Sequence, residues 1–263
     1  MDALSPQQVV IIGCGPAGCA VVTILKEAAA PAYLVAVDDN EEMLGKAEAD
    51  QKILARPGEK LDLGIDFNKY TAVFFALEPS EGSSLTYAQA LASAIPAHNL
   101  YTMGFVVKPS GGWKEDEQAI YGSFDGAALI DEGWVLQVRK GNDPEYAMRI
   151  SLNFTAHMLR VLAESFKEGK LNAIALRNAT AGRVSNFAAT PTSQPETLYG
   201  MTMSMIDKKK VKSMLFFIPE DTEKVQMRRI FLMLACGIPA TAEIQAVHAK
   251  GVEPFRILAM LSV

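Results

Sequence analysis

A short β-branched run that ends in a glycine loop constrains the fold of this chain more than any other feature. Gln8–Ile12 leads directly into Gly13-Cys14-Gly15-Pro16-Ala17-Gly18, and a helical pattern follows over Ala17–Ala29. A continuous apolar run of this length is typical of a strand that is buried on both faces of a parallel sheet. A second such run, Tyr33–Val37, follows the helix. The sequence therefore predicts a strand–helix–strand unit at the start of the fold.

Strands and helices continue to alternate after this unit. The patterns predict helices over Glu41–Glu48 and Leu85–Ile95, and strands over Ala72–Ala76 and Leu100–Val107. Such alternation is typical of an α/β fold with a doubly wound parallel sheet and right-handed crossovers. In that architecture, the ligand crevice lies at the carboxyl ends of the strands.

The pattern changes in the second half of the chain. Pro144–Lys167 is the longest continuous helical pattern, and shorter runs follow it. We expect a nucleotide-binding-type domain at 1–143, a central connecting helix at 144–168 and a smaller α+β domain at 169–263. The shorter predicted elements are strands over Glu132–Arg139, Ala173–Leu176, Thr197–Met205, Val211–Ile218 and Phe255–Ser262, and a helix over Thr222–Leu234.

Charge and composition exclude several classes of function. A net charge of −5 and a pI near 5.4 disfavour general binding to nucleic acid or to anionic lipid. The apolar stretches are shorter than the roughly 20 residues of a membrane helix, so we expect no membrane insertion. Three cysteines and the lack of an apolar leader favour a cytoplasmic protein. The three histidines are scattered, so we expect neither a structural metal nor a histidine at a catalytic centre.

The glycine loop has two interpretations. Glycines at Gly13, Gly15 and Gly18 allow a tight turn and close helix packing, and they let a phosphate approach the backbone amides. The alternative is a purely structural turn, and Pro16 removes one amide donor from the phosphate cradle. Cys14 lies near a helix N-terminus that would lower its pKa, although its small size is a simpler reason for its place in the loop.

Asp38 also has two interpretations. It lies about 20 residues after the last glycine of the loop, where a dinucleotide enzyme places an acid on the ribose hydroxyls. This spacing supports FAD or NAD as a cofactor. Alternatively, Asp38, Asp39 and Asn40 end a strand and cap the next helix.

The order of these elements resembles the tubulin/FtsZ superfamily of cytoskeletal GTPases, over nearly the whole chain. Residues 11–18 resemble the first glycine loop of that family, I-G-x-G-G-A-G-G-N, and residues 35–53 resemble its next strand and helix, A-I-N-T-D-x-x-x-L-x-x-S-x-A-D-x-K. Val106-Val107-Lys108-Pro109 resembles its V-V-T-K-P segment, and residues 242–247 and 255–260 resemble its last two strands.

The resemblance implies a set of nucleotide contacts. Phosphate would lie against Gly13, Gly15, Gly18 and Gly82, with Ser83, Ser84 and Thr86 as hydroxyl donors and Tyr146 against the base. The family carries G-G-G-T-G-T/S-G where Leu77–Thr86 stands here, and two of these residues are Glu78 and Glu81. Carboxylates repel phosphate unless a cation bridges them, so GTP or GDP should bind weakly or through Mg²⁺. Arg149 stands roughly where the family has the acid that recognises guanine.

The loop after the central helix departs from the family as well. The family pattern N-x-D-F-A-D supplies acids that position water, whereas residues 171–180 contain no carboxylate. The chain is thus expected to be at most a weak GTPase without catalytic residues of its own. It ends at Val263 without the tail by which cell-division members recruit partners, which indicates a divergent member or a removed tail.

The resemblance implies a self-associating or scaffolding protein. The first alternative is an oxidoreductase-type domain that binds FAD or NAD at Gly13–Gly18 with Asp38 on a ribose. The second is an interaction module with an empty crevice, which Glu78 and Glu81 favour.

Overall fold

A computed structural model shows the fold of the chain. It describes residues 9–56, 61, 63–80, 83–95, 100–109, 117–131, 143–180, 184–190, 212–222, 228, 242–252 and 257–262.

Within the described ranges, ten strands form one sheet in the order β3-β2-β1-β4-β5-β6-β7-β10-β8-β9. All pairings from β3 to β7 are parallel, β10 is antiparallel to both β7 and β8, and β8 and β9 are parallel. The strands are β1 (Val9–Cys14), β2 (Tyr33–Asp38), β3 (Gln51–Leu54), β4 (Ala72–Leu77), β5 (Tyr101–Lys108), β6 (Gly126–Asp131), β7 (Val184–Thr190), β8 (Ser213–Ile218), β9 (Glu243–His248) and β10 (Ile257–Ser262).

Six α-helices lie within the described ranges. The helix that follows β6 is the longest, with 24 residues, and its N-cap Asp143 accepts hydrogen bonds from the amides of Glu145 and Tyr146. The helices are α1 (Gly15–Glu27), α2 (Glu41–Lys46), α3 (Ser84–Ala94), α4 (Glu117–Tyr121), α5 (Pro144–Lys167) and α6 (Ala173–Thr180).

The core occupies both faces of the sheet because successive side chains of a strand point to opposite faces. Val9 and Ile11 belong to a cluster that includes α1 and α5 and extends to Met260 in β10. Val10 and Ile12 belong to a second cluster, which includes α3. Helices therefore cover both faces, and the predicted α/β fold with a mainly parallel sheet is confirmed.

Local patterns predicted the strands β1, β2, β4 and β5 and the helices α1, α2, α3 and α5 within two or three residues at each end, whereas no pattern predicted α4. The predicted strand over Ala173–Leu176 is wrong, since this segment is the first half of α6. Its alanines favour a helix, and the Asn172 side chain caps the helix by accepting from the amide of Ala175 at 2.9 Å. The patterns at β3, β6 and β7 predicted no strand.

Other predicted elements lie outside the described residues. They are the strands over Glu132–Arg139 and Thr197–Met205 and, except at Thr222 and Arg228, the helix over Thr222–Leu234. The division into domains at 1–143, 144–168 and 169–263 stays a prediction.

Candidate functional site

The candidate site lies where the strand order reverses, at the carboxyl ends of β1, β2 and β4. After β1 the chain first builds β2 and β3 on one side of it and then returns to place β4 on the other side. Such a reversal opens a crevice at the ends of the two diverging connections. The β1–α1 and β4–α3 loops both end at this crevice, which we call the switch-point crevice.

Close packing requires two of the loop glycines. A Cβ atom at Gly13 would lie 2.1 Å from the backbone oxygen of Gly18, and a Cβ atom at Gly18 would lie 2.3 Å from the backbone oxygen of Ala76 in β4. Helix α1 therefore sits directly on β1 and β4. Gly15 has a φ of +73°, in the left-handed region that favours glycine. Each of the three glycines has a structural role, whatever the loop binds.

The N-terminus of α1 faces the crevice. Its N-cap residue, Cys14, makes no side-chain capping hydrogen bond, and Pro16 occupies the first turn. The amides of the first helical turn point along the helix axis and attract anions, but Pro16 supplies no amide hydrogen. An anionic group is thus the ligand that this helix end suits chemically.

The two described cysteines are structural. Cys14 is fully buried, and burial, with the nearby Cys19 and Asp38, raises the pKa of its thiol. The Cys19 thiol is buried as well and donates to the carbonyl of Val37 at 3.8 Å. A neutral, buried thiol is a poor nucleophile, so Cys14 lies in the loop as a small apolar residue.

Asp38 is a buried carboxyl group at the end of β2, with 2% of its surface exposed. Its Oδ1 accepts from the amide of Asn40 at 2.8 Å, while Oδ2 is buried without a hydrogen-bond partner among the described residues. Burial raises the pKa of this carboxyl group. An acid in this state gains from any ligand hydroxyl or amine that donates to Oδ2.

Its neighbours Asp39 and Asn40 have structural partners. The hydroxyl of Tyr87, on α3, donates to Asp39 Oδ2 at 3.0 Å, and burial raises the pKa of Tyr87. The Asn40 side chain caps α2 by accepting from the amides of Glu42 and Met43. The contact between Asp39 and Tyr87 links the β2–α2 loop to α3 across the crevice.

Hydrogen bonds to Glu78 hold the β4–α3 loop in its conformation. The side chain is buried, and its Oε1 accepts from the amide and the hydroxyl of Ser80 at 2.9 and 2.7 Å. The hydroxyl of Ser84, which is also buried, donates to the carbonyl of Glu78 at 2.6 Å. The Ser84 proton is therefore already committed within the loop. Glu81 and Gly82 lie outside the described residues.

Two further predicted contact residues lie on the first turn of α3. Ser83 is the N-cap of α3, is partly exposed and makes no side-chain capping hydrogen bond. Thr86, three residues further along, is exposed. Their spacing puts both hydroxyls on the same face of the helix. They remain accessible to a ligand, in contrast to Ser84.

A groove runs along the side of the crevice between α1 and the first turns of α5. It has a volume of about 630 Å³ and is lined by Ala20, Ile24, Pro109, Pro144, Glu145, Met148, Arg149, Leu152 and Asn153. Most of these side chains are apolar, and Pro109 follows the carboxyl end of β5. We call this feature the α1–α5 groove; the sequence patterns had not indicated it.

Tyr146 does not line this groove. The ring is partly buried, and the guanidinium of Arg149 lies over it at 5.4 Å from the centroid. One face of the aromatic ring is therefore already covered by a cation. Arg149 itself reaches the groove.

The connection from α5 to α6 lies at the opposite, amino edge of the sheet. Arg177 Nη2 donates to the carbonyl of Leu100, just before β5, at 3.2 Å. Ile174, on the first turn of α6, has 71% of its surface exposed. The carboxylate of Glu168, the C-cap residue of α5, forms ion pairs with the ammonium groups of Lys170 at 2.7 Å and of Lys250 at 2.5 Å. The sequence contained no signal for the Glu168 cluster, because Lys250 is distant along the chain.

No group of three or more His, Cys, Asp or Glu side chains in the described part of the chain has an arrangement that holds a metal ion. None of the helices that the structure describes has the length and apolar character needed to cross a membrane.

The comparisons with known proteins identify the fold. No family model and no curated protein matches the sequence. Solved structures match over nearly the whole chain. An FtsZ dimer from M. jannaschii has a TM-score of 0.78 and 16% identity, over 98% of this chain and 88% of that one. CetZ2 from Haloferax volcanii, in a GTPγS-bound protofilament, has a TM-score of 0.61 and 13% identity, over 97% and 92%. TubZ from Clostridium botulinum phage c-st has a TM-score of 0.63 and 11% identity, over 98% and 93%.

These matches define the architecture as the tubulin/FtsZ-superfamily fold. The low identities make the chain a divergent representative of that fold, and the predicted resemblance to this superfamily is confirmed at the level of structure.

Proposed function

We propose that this chain is a tubulin-like cytoskeletal protein of the cytoplasm that self-associates, binds a guanine nucleotide weakly and hydrolyses it slowly or not at all. The observation that carries the proposal is the agreement of fold over 98% of the chain with FtsZ at a TM-score of 0.78. Structures with this fold include a dimer and a GTPγS-bound protofilament.

The phosphate end of the nucleotide would lie at the N-terminus of α1. The amides after Gly15 favour an anion there, and Ser83 and Thr86 offer accessible hydroxyls. Three acidic side chains, Asp38, Asp39 and Glu78, end β2 and β4 beside this position. Unbridged carboxylates repel a triphosphate, so we expect binding to need Mg²⁺, which prefers carboxylate and phosphate oxygens together.

The base end would lie near the first turns of α5. Tyr146 can stack on a base only on the ring face that Arg149 leaves open. Arg149 has hydrogen-bond donors and no acceptor, so it cannot accept from the N–H groups by which an acid recognises guanine, and it can donate to N7, which adenine carries as well. We therefore expect weaker preference for guanine than an acid at this position would provide.

Hydrolysis needs a group that orients water. The segment that follows α5 offers Ile174 and Arg177 on the exposed side of α6 and no carboxylate from 169 to 180. Without such a group the attacking water is not activated. This supports a protein that holds nucleotide without efficient turnover.

Calorimetric titration of nucleotide-free protein tests the proposal. GTP would be titrated with and without Mg²⁺, alongside light scattering and a phosphate-release assay. We expect saturable binding that requires Mg²⁺ and little phosphate release. We also expect the apparent molecular mass from light scattering to rise with protein concentration, as self-association requires. A protein that stays monomeric and binds no GTP at any Mg²⁺ concentration would contradict it.

A dinucleotide is the second candidate ligand, and Asp38 is the observation that favours it. Its Oδ2 is buried, finds no hydrogen-bond partner among the described residues, and suits a ribose hydroxyl donor. Titration with NAD and FAD separates the two candidates. Tight dinucleotide binding that Asp38→Asn weakens at least tenfold, together with no GTP binding, would replace the first proposal with the second.

A further inference from the structure

One carboxylate in the α1–α5 groove is available to a ligand. Glu145 lies on the first turn of α5, lines the groove and is exposed. No hydrogen bond or ion pair within the described part of the chain holds its side chain. Most of the surrounding wall is apolar and includes Ile24, Met148 and Leu152. This setting suits a ligand that has apolar faces and hydrogen-bond donors along one edge.

The N-cap of α5 fixes the position of Glu145. Asp143 Oδ1 accepts from the amides of Glu145 at 3.1 Å and of Tyr146 at 3.3 Å. Arg149 follows Glu145 by four residues, so both side chains lie on the same face of the helix. The guanidinium of Arg149 lies over the Tyr146 ring, 5.4 Å from its centroid. Since Arg149 is engaged with this ring, the carboxylate of Glu145 is left to accept from a ligand.

The size and character of the groove suit a purine base. Its volume of about 630 Å³ lies within the range of small-molecule sites, roughly 300–1,000 Å³. Apolar walls such as those of Met148 and Leu152 suit the flat faces of an aromatic ring.

The edge of the base decides which purine a carboxylate prefers. Guanine presents two adjacent donors, N1–H and the N2 amino group, and the two oxygens of a carboxylate accept both. Adenine presents N1 as an acceptor next to its amino group, so a carboxylate there faces a lone pair. An acid in the groove therefore favours guanine, a preference that Arg149 cannot supply because it only donates.

The groove is also within reach of the phosphate position at the N-terminus of α1. Ala20, on the groove wall, follows Gly15 by five residues, which corresponds to about 7.5 Å along the helix axis. A ribose separates a base from its first phosphate by a comparable distance. A nucleotide with its phosphates at the start of α1 can therefore place its base in the groove.

We propose that Glu145 is the specificity-determining residue of the α1–α5 groove, and that its carboxylate accepts from N1–H and from the N2 amino group of a guanine base. This inference rests on the proposed nucleotide binding and names the residue that selects the base.

Exchange of a single acceptor for a donor tests the inference. Glu145→Gln keeps the shape of the side chain but turns one of its two acceptors into an amino donor. The variant then matches xanthine, which has N1–H next to the acceptor O2. In calorimetric titrations with Mg²⁺, Glu145→Gln should lower the affinity for GTP about tenfold or more and raise the affinity for XTP by a similar factor, as expected for one mismatched base edge.

The gain of XTP binding distinguishes base recognition from a structural role, because damage to the fold lowers both affinities together. Glu164→Gln makes the same change near the other end of α5, outside the groove, and is the matched control. It should leave the affinities for GTP and XTP as they are in the unmodified chain. Circular dichroism and thermal unfolding establish that both variants fold.

The remaining outcomes separate this inference from the proposed function. If the unmodified chain binds GTP and Glu145→Gln leaves the ratio of GTP to XTP affinity unchanged, the role of Glu145 is overturned while nucleotide binding stands. Loss of GTP binding in Glu145→Gln without a gain for XTP likewise overturns it. An unmodified chain that binds no GTP at any Mg²⁺ concentration overturns the proposed nucleotide binding, and this inference with it.

Discussion

At the scale of single residues, Gly13 and Gly18 face each other where α1 leaves the sheet. A methyl group on either would overlap backbone atoms, which cannot move aside as a flexible side chain can. Asp38 illustrates the opposite situation, in which a side chain is present but one of its oxygens has no hydrogen-bond partner in the described part of the chain. Both positions make predictions that a single substitution tests.

Gly13→Ala should lower the free energy of unfolding by about 3 kcal/mol or more, because the new Cβ would lie 2.1 Å from the oxygen of Gly18 and 2.8 Å from Val22. Gly45→Ala is the matched control. Nothing lies within 4 Å of a Cβ at Gly45, inside α2, so this change should be neutral or slightly stabilising. Urea denaturation measures both, and equal midpoints for the two variants would contradict the packing argument.

Asp38→Asn should stabilise the protein at pH 7. Burial raises the pKa of Asp38, so the folded state binds a proton more readily than the unfolded state does. The charged form therefore costs stability above the raised pKa, and that cost disappears as the pH falls below the ordinary value of 3.8.

The advantage of Asp38→Asn should accordingly shrink between pH 7 and pH 4, as measured by urea denaturation across this range. Glu243→Gln, at an exposed carboxylate on β9, serves as the control and should show no such trend. A constant difference between Asp38→Asn and the unmodified chain at all pH values would rule out the titration of Asp38 as the cause.

At the scale of elements, the end of α5 is held by charges from three segments. Glu168 pairs with Lys170 and with Lys250, and Lys170 also pairs with Glu220 after β8. The hydrogen bonds from Lys170 and Lys250 lower the pKa of Glu168 and raise the pKa of both lysines. The cluster joins the central helix to the loops that follow β8 and β9.

Glu168→Gln should lower the free energy of unfolding by about 1 kcal/mol at low salt and by less at high salt, because the side chain is 19% exposed and partly screened. The stabilisation should be complete above the ordinary pKa of 4.5 and lost as the pH falls through the lowered folded value. Glu42→Gln breaks an exposed pair with Lys46 within α2 and should change little. Urea titrations at two salt concentrations measure both, and equal effects would argue against a special role for Glu168.

Helix α6 depends on its cap. Asn172→Ala should cost about 1 kcal/mol, because the Asn172 side chain accepts the amide of Ala175 at 2.9 Å. Asn178→Ala changes an exposed position of the same helix and is the control, with an expected effect near zero. Thermal unfolding of the two variants compares them directly; a cap that contributes nothing would leave both midpoints unchanged.

At the scale of the whole molecule, one core cluster joins the two halves of the chain. It contains Val9 and Phe74 from the first half together with Leu215 and Met260 from the second. The halves also meet in the sheet, where β6 pairs with β7 from Ala127 to Leu129. Because the two halves share a core and a sheet, unfolding of either half disrupts both.

We therefore expect a single cooperative unfolding transition. Pulsed hydrogen exchange of peptides from 101–108, in β5, reports the first half. Pulsed hydrogen exchange of peptides from 212–222 reports the second half. Coincident midpoints are expected in urea, whereas two separated transitions would show that the predicted domains are independently stable.

Local chemistry in the sequence was enough to predict β1, β2, β4 and β5 and the helices α1, α2, α3 and α5. The strands are continuous apolar runs, and the apolar residues of the helices recur at helical spacing. Pro144 marks the start of α5, and the glycine loop at residues 13–18 marks the change from β1 to α1. The same information was insufficient at Ala173–Leu176, because a four-residue apolar run fits a strand or a helix, and only the cap at Asn172 and the burial of Leu176 decide between them.

Contacts between distant segments determined the rest. The sequence placed Glu78 beside the phosphate position, but the fold turns its carboxylate onto Ser80. Stacking of a base on Tyr146 stays a prediction, and only the fold shows that Arg149 lies over one face of that ring. The α1–α5 groove and the exposure of Ile174 exist only once α1, α5 and α6 are packed, since neither burial nor a concave surface is a property of a short stretch of sequence.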